Sequence, residues 1–216
     1  LKAKMDKILE IQSEIMTEGV HFGPPFKDSK KKVLLKAGAE LLGSYFGLYP
    51  RYIERSITED FKNGTFHYRY ECQLIDIYTG AIVGSGIGSC NSMEAKYRWR
   101  DSKPKCPACG AESIMKSKFP DRNTGKIGFY CNQKSGGCGS NFDPDDKRIT
   151  GQEVGRVEND DPYTLVNTLD KQAQKRAFVA AVLNATGASA YFTQDVEDFK
   201  GHKYFGDPDV IEGEWT

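Results

Sequence analysis

Four cysteines carry the clearest chemistry in this sequence. They run Cys106-Pro-Ala-Cys109-Gly, then a gap of 21 residues, then Cys131 and Cys138 separated by six. Two thiolates two residues apart, with a glycine just beyond, make a tight knuckle whose backbone N–H groups reach the sulfurs. Gly136-Gly137-Cys138-Gly139 gives the second pair the same sharp turn. Four sulfurs in two pairs suit a tetrahedral zinc ion at about 2.3 Å per bond, and a full set of Cys ligands leaves no position for water, so the ion is structural. An iron–sulfur cluster is the alternative that this spacing leaves open. Nothing indicates an oxidising compartment, which argues against two disulfides. Cys72 and Cys90 fall on alternating strand patterns and read as buried apolar residues.

The second set of candidates is basic. The chain has 216 residues, with 30 Lys plus Arg balancing 30 Asp plus Glu. The zero net charge hides a polarity. Lys27, Lys30, Lys31, Lys32 and Lys36 face one acid, Asp28, and from Lys96 to Lys126 nine basic residues face three acids. Residues 201–216 form an acidic C-terminal tail, preceded by Asp195, Glu197 and Asp198. A basic middle and an acidic end make an electrostatic polarity, and these counts leave an electrostatic partner and plain solvated faces equally open. Lys96-Tyr97-Arg98-Trp99-Arg100 alternates cations with aromatic rings, the pattern expected of a strand lying along single-stranded DNA. Lys171 and Lys175 stand one helical turn apart and repel unless an anion lies between them.

The elements that must position these residues are legible from periodicity. Residues 5–17 and 36–46 read as helices, stopped at Gly19 and Gly47. Three strands follow. In 51–58, Arg51, Ile53, Arg55 and Ile57 share a side. In 66–74, Phe66, Tyr68, Tyr70, Cys72 and Leu74 oppose His67, Arg69, Glu71 and Gln73. Residues 81–90 follow the Thr79-Gly80 turn. Short connections make them an antiparallel meander. Gly84, Gly86 and Gly88 lie on one face of the third strand, opening its backbone to a helix, another subunit or a nucleic-acid backbone. Asp160-Asp161-Pro162 opens a long helix that Gly187 stops, with Asp as cap. The expectation is an α+β fold in which 1–100 and 151–200 form one domain and 101–150 an inserted zinc ribbon, with short strands at 113–118 and 126–130. No phosphate-binding loop of the GxxxxGK[ST] type occurs. No apolar run is long enough for a membrane span, so a soluble, cytoplasmic protein is expected.

On Lys36-Ala37-Gly38-Ala39-Glu40-Leu41-Leu42, Phe46-Gly47-Leu48, the meander, Asp170-Lys171-Gln172-Ala173-Gln174-Lys175-Arg176-Ala177 and Thr186-Gly187-Ala188-Ser189, the chain resembles phage-type single-strand annealing proteins of the broad Rad52, RecT, Red-beta and Erf superfamily. The resemblance covers about residues 10–100 and 155–200 and implies a β-β-β-α core. It further implies a homo-oligomeric ring or filament, and ATP-independent annealing of complementary DNA strands in recombination. An exonuclease or a single-strand-binding protein would be its partner. The zinc ribbon departs from the better-known members. Annealing requires that phosphates be held while base edges stay free. The residues offered for this are Lys36, Arg51, Arg55, Arg69, Lys96, Tyr97, Arg98, Trp99, Arg100, Lys171, Lys175 and Arg176.

Two rival readings are open. Glu94-Ala95-Lys96 with Asp76 upstream supplies the ingredients of a PD-(D/E)xK nuclease, two carboxylates for magnesium and a lysine beside the attacking water. A zinc-ribbon adaptor recruiting a replication or recombination partner is the other. His21, His67 and His202 are scattered, with no nucleophile pattern around them.

Overall fold

Phe66, Tyr68, Tyr70, Cys72 and Leu74, spaced two apart, are all buried, and the residues between them are more exposed. That alternation places one face of a strand on a core and turns the other outward. The computed structural model describes residues 2–25, 32–120 and 125–194. Its first half comprises helix α1 (Lys2–Glu14), strands β1 (Phe22–Gly23) and β2 (Lys32–Leu34), helix α2 (Lys36–Tyr45) and strands β3 (Leu48–Asp60), β4 (Thr65–Asp76) and β5 (Ile82–Asn91). After a helical turn α3 (Ala95–Arg98) come β6 (Trp99–Ser102), β7 (Ile114–Lys116), β8 (Phe129–Cys131), β9 (Asn141–Phe142), the turn α4 (Lys147–Thr150) and β10 (Gly155–Glu158). Helix α5 (Val166–Thr186) and β11 (Phe192–Thr193) complete the order. The protein is mixed α+β.

The chain divides into two compact units, Leu1–Tyr97 with the residues from Asp161 on, and Arg98–Asp160. In the first, β3, β4 and β5 form the expected antiparallel meander in that order. Helix α5 lies on its inner face. The three glycines of β5 explain how closely: a Cβ on Gly86 would strike the backbone of Ala180 and Ala181, and one on Gly88 the backbone of Ala177. The sequence left three candidates for this close approach, and the helix is the one that occupies it. Alanines 173, 177 and 181 supply the matching small surface, and all three are fully buried.

Two departures from the sequence reading alter the surface. Arg55 is an extra residue on β3, because the register passes from Glu54↔Tyr70 directly to Ser56↔Arg69. The bulge reverses the phase beyond it. Ile57 therefore opposes buried Tyr68 on the inner face, and Ser56 opposes Arg69 on the outer one. Helix α1 ends at Glu14, leaving Ile15 exposed. A small sheet of order β1-β2-β11 joins the start of the chain to the segment after α5.

The second unit is wider than 101–150 because Trp99–Ser102 pairs with Gly155–Glu158 and closes its base. Its ribbon is the three-stranded sheet β7-β8-β9, one strand more than read from the sequence. The long helix opens differently from expectation: Pro162–Leu165 is a 3-10 turn, and Asp161 makes no side-chain capping bond. Its end is as read, with Gly187 left-handed at φ 74° and donating to Leu183 O at 3.0 Å.

Candidate metal centre and nucleic-acid interface

Cys106, Cys109, Cys131 and Cys138 converge, with all four sulfurs within 4.8 Å of one another. Each knuckle is built by backbone turns. Gly110 is left-handed and donates to Cys106 O at 2.8 Å, and Gly139 is left-handed and donates to Cys131 O at 3.0 Å. Gly137 has to be glycine, since a Cβ there would collide with Cys131 Sγ. Backbone N–H groups point at sulfur, Ala108 to Cys106 Sγ at 3.4 Å and Cys138 to Cys131 Sγ at 3.3 Å. The Ser140 hydroxyl and N–H lower the Cys138 thiol, whereas burial raises that of Cys131.

The spacing tests the donor set. Four sulfurs held about 2.3 Å from one tetrahedral ion stand about 3.8 Å apart, whereas a disulfide closes to about 2.05 Å. Cys106–Cys138 and Cys109–Cys131 are each 3.7 Å apart. The cluster fits a thiophilic ion and does not fit two disulfides. Cys72 and Cys90 lie elsewhere, on the inner face of the meander. Burial pushes their thiols up to about 12 and about 11.

The basic residues do not form one track. Arg51, Arg55 and Arg69 gather on the outer face of the meander, which no described helix covers. Arg51 donates to Gln73 Oε1 at 2.6 Å, and Arg55 Nε donates to Glu71 Oε2 at 2.8 Å. The hydrogen bonds from Arg55 and from Gln73 hold the Glu71 carboxyl below the usual range. Rows across the three strands read Arg51–Gln73–Ser85, Ile53–Glu71–Ile87, Ser56–Arg69–Ser89 and Thr58–His67–Asn91. Glu71 is the single carboxylate in these rows. Tyr49, 64% exposed and opposite Ile75, is an aromatic ring at one end of the face.

Lys171 and Lys175 sit on α5, on the other side of the sheet. Lys36 pairs with Glu40 at 3.1 Å. Arg176 is committed within the fold, with NH1 and NH2 gripping both oxygens of Glu94 at 2.7 and 2.9 Å. Its NH1 also donates to Ser89 O at 2.6 Å. These three bonds tie Arg176 to β5 and to the turn that follows it.

Lys96–Arg100 is not a continuous strand. Residues Ala95–Arg98 make one helical turn, and the strand begins only at Trp99. Tyr97 is 6% exposed, and Lys96 Nζ stands 5.4 Å from its ring centroid. In the second unit, Arg98 pairs with Glu158 and Arg100 with Asp160. Arg98 and Arg156 lie over the Trp99 ring at 4.9 and 5.2 Å. An Asx turn at Asn91-Ser92-Met93-Glu94 precedes the helical turn. The Asn91 side chain accepts from Met93 N at 2.9 Å, and Glu94 Oε1 accepts from Asn91 N at 3.2 Å. Arg156 had no signal in the sequence.

The nuclease arrangement does not assemble. Asp76 accepts from Tyr78 N, Thr79 N and the Thr79 hydroxyl within its own turn. Glu94 lies past the far end of β5, a strand of ten residues, so about 30 Å separates the two carboxylates. They cannot share a magnesium ion. A concavity of about 430 Å³ lies on the ribbon between Phe119, Phe129, Phe142, Lys126 and Arg148. Lys27, Lys30, Lys31 and the acidic stretch from Asp195 lie outside the described residues. No helix among the described residues is long and apolar enough to cross a membrane.

No protein-family model matches the chain, and no curated protein or solved structure does so either.

Proposed function

We propose that this protein binds single-stranded DNA without ATP and promotes pairing of complementary strands, acting as a homo-oligomer, with a structural zinc ion in the Cys106–Cys109–Cys131–Cys138 cluster. The observation that carries the reading is the open outer face of the meander. It presents Arg51, Arg55 and Arg69 against Glu71, with Asp60 only at its far end, interleaved with Ser, Thr, Gln and Asn side chains. Cations and small polar groups hold sugar–phosphate with no base-reading apparatus. Rings on this face are Tyr49 at one end and the His67 imidazole towards the other, so most bases bound there keep their pairing edges exposed to a second strand. The ion's chemistry is to fix the ribbon turns, which are too small to be stable alone.

Mixing complementary oligonucleotides with and without protein, in the absence of nucleotide, tests the proposal. Pairing is expected to be faster with protein. The triple variant Arg51→Ala/Arg55→Ala/Arg69→Ala is expected to lose the effect while retaining its circular dichroism. No acceleration over protein-free DNA in moderate salt, or full activity in the triple variant, overturns it. Affinity for a protein partner without affinity for DNA would favour the adaptor reading.

A further inference from the structure

We propose that the acidic segment 195–216 docks on the outer face of its own β3-β4-β5 sheet and competes there with single-stranded DNA. The competition rests on the reading of that face given above; the docking does not.

Charge is the first argument. The segment has seven carboxylates between Asp195 and Glu214 against Lys200 and Lys203. The face has three arginines against Glu71, which Arg55 already neutralises, and Asp60 at its far end. The segment also brings Phe199, Tyr204, Phe205 and Trp215. The face offers them Ile53 and Ile87, which flank Glu71 in one row, Ile87 being 53% exposed. An acidic, aromatic peptide matches both properties of this surface.

The point of departure is the second argument. Gln194 Nε2 donates to Arg176 O at 3.1 Å, and the Arg176 guanidinium donates to Ser89 O on β5. Ser89 is the register partner of Arg69. The segment thus starts on α5, on the inner side of the sheet, beside the edge strand β5. Rounding that edge and crossing the outer face to β3 takes about 20 Å, whereas 22 extended residues reach about 70 Å. Tethering at that distance gives an effective concentration in the millimolar range, enough to fill a weak site.

The test uses the full chain and a full-length variant with each of the seven carboxylates changed, Asp to Asn and Glu to Gln. Anisotropy of a labelled oligothymidylate at low salt is expected to show about tenfold tighter binding by the variant. A labelled synthetic peptide of residues 195–216 is expected to bind the variant in a salt-sensitive way. That binding should be lost when Arg51, Arg55 and Arg69 are also changed to Ala. Equal oligothymidylate affinity for the two full-length chains overturns the competition. Peptide binding that ignores the arginine changes, or no peptide binding, overturns the docking. If the peptide docks but neither chain binds oligothymidylate, the docking stands and the strand-binding reading falls.

Discussion

Glu94 joins three parts of the first unit through one carboxylate. It closes the turn after β5 by accepting from Asn91 N, grips Arg176 of α5, and stands beside buried Cys90. Burial opposes its charge, but the Arg176 guanidinium outweighs this and holds the carboxyl below its ordinary 4.5. A carboxyl depressed on folding stabilises above its unfolded value, and that contribution is lost as pH falls through the folded value. Glu94→Gln is therefore expected to cost about 2 kcal/mol at pH 7, reflecting a half-buried pair that loses one charge. It should cost much less at pH 3, flattening the acid limb of stability. Urea unfolding at the two pH values measures this, and an equal cost at both would contradict it. The thiols make a second residue-scale prediction. A chelator that strips the ion should open Cys106, Cys109, Cys131 and Cys138 to alkylation, while Cys72 and Cys90 react only after unfolding, counted by mass spectrometry.

Among the elements, the cysteine spacing, the period-two run of β4 and the glycine stop after α5 were legible because each is a local pattern with one structural solution. The glycines of β5 were legible as a place of close approach, but their partner lies about 90 residues further along the chain, and no local signal names it. The Arg55 bulge had no signal either. Register on an exposed edge strand is set by pairing with β4, so the faces of Ile57 and Ser56 were assigned the wrong way round. The cation–aromatic alternation at Lys96–Arg100 misled for a related reason: Tyr97 is taken by the core and the arginines by Glu158 and Asp160. At this scale, Gly88→Ala is expected to destabilise the protein by about 3 kcal/mol, since the added methyl meets helix backbone rather than a side chain that can turn away. Thermal unfolding with the conservative control Ser89→Ala checks it.

For the whole molecule, the division of charge matters more than its zero sum. If the outer face of the meander is the DNA site, three phosphate contacts per chain give a slope of about −2 in log affinity against log salt for a single strand, and each Arg→Ala change reduces it by about 0.7. Titrations across a salt series for the wild type and Arg69→Ala decide this. A slope near zero, or one unmoved by the change, would place the contacts elsewhere. Lys171 and Lys175, across the sheet on α5, are expected to leave the slope unaltered when changed to Ala.

The edge of β5 has a consequence for how the chain is made. From Ile77 to Met93 there is no charged residue, and charge is the usual defence of an open strand edge. The protection comes from α5, where Asn184 and Arg176 donate to the carbonyls of Ser85 and Ser89 along that edge. Those two side chains are encoded about 85 to 100 residues later, beyond the whole metal-binding unit. At synthesis rates of about 5–20 residues per second, the ribosome needs several seconds to deliver Arg176 and Asn184 after Ser85 and Ser89 have been joined to the nascent chain. Throughout that interval the newborn strand is open to its counterparts on neighbouring polysomal chains, and slow translation or a truncated transcript should send this protein into aggregates.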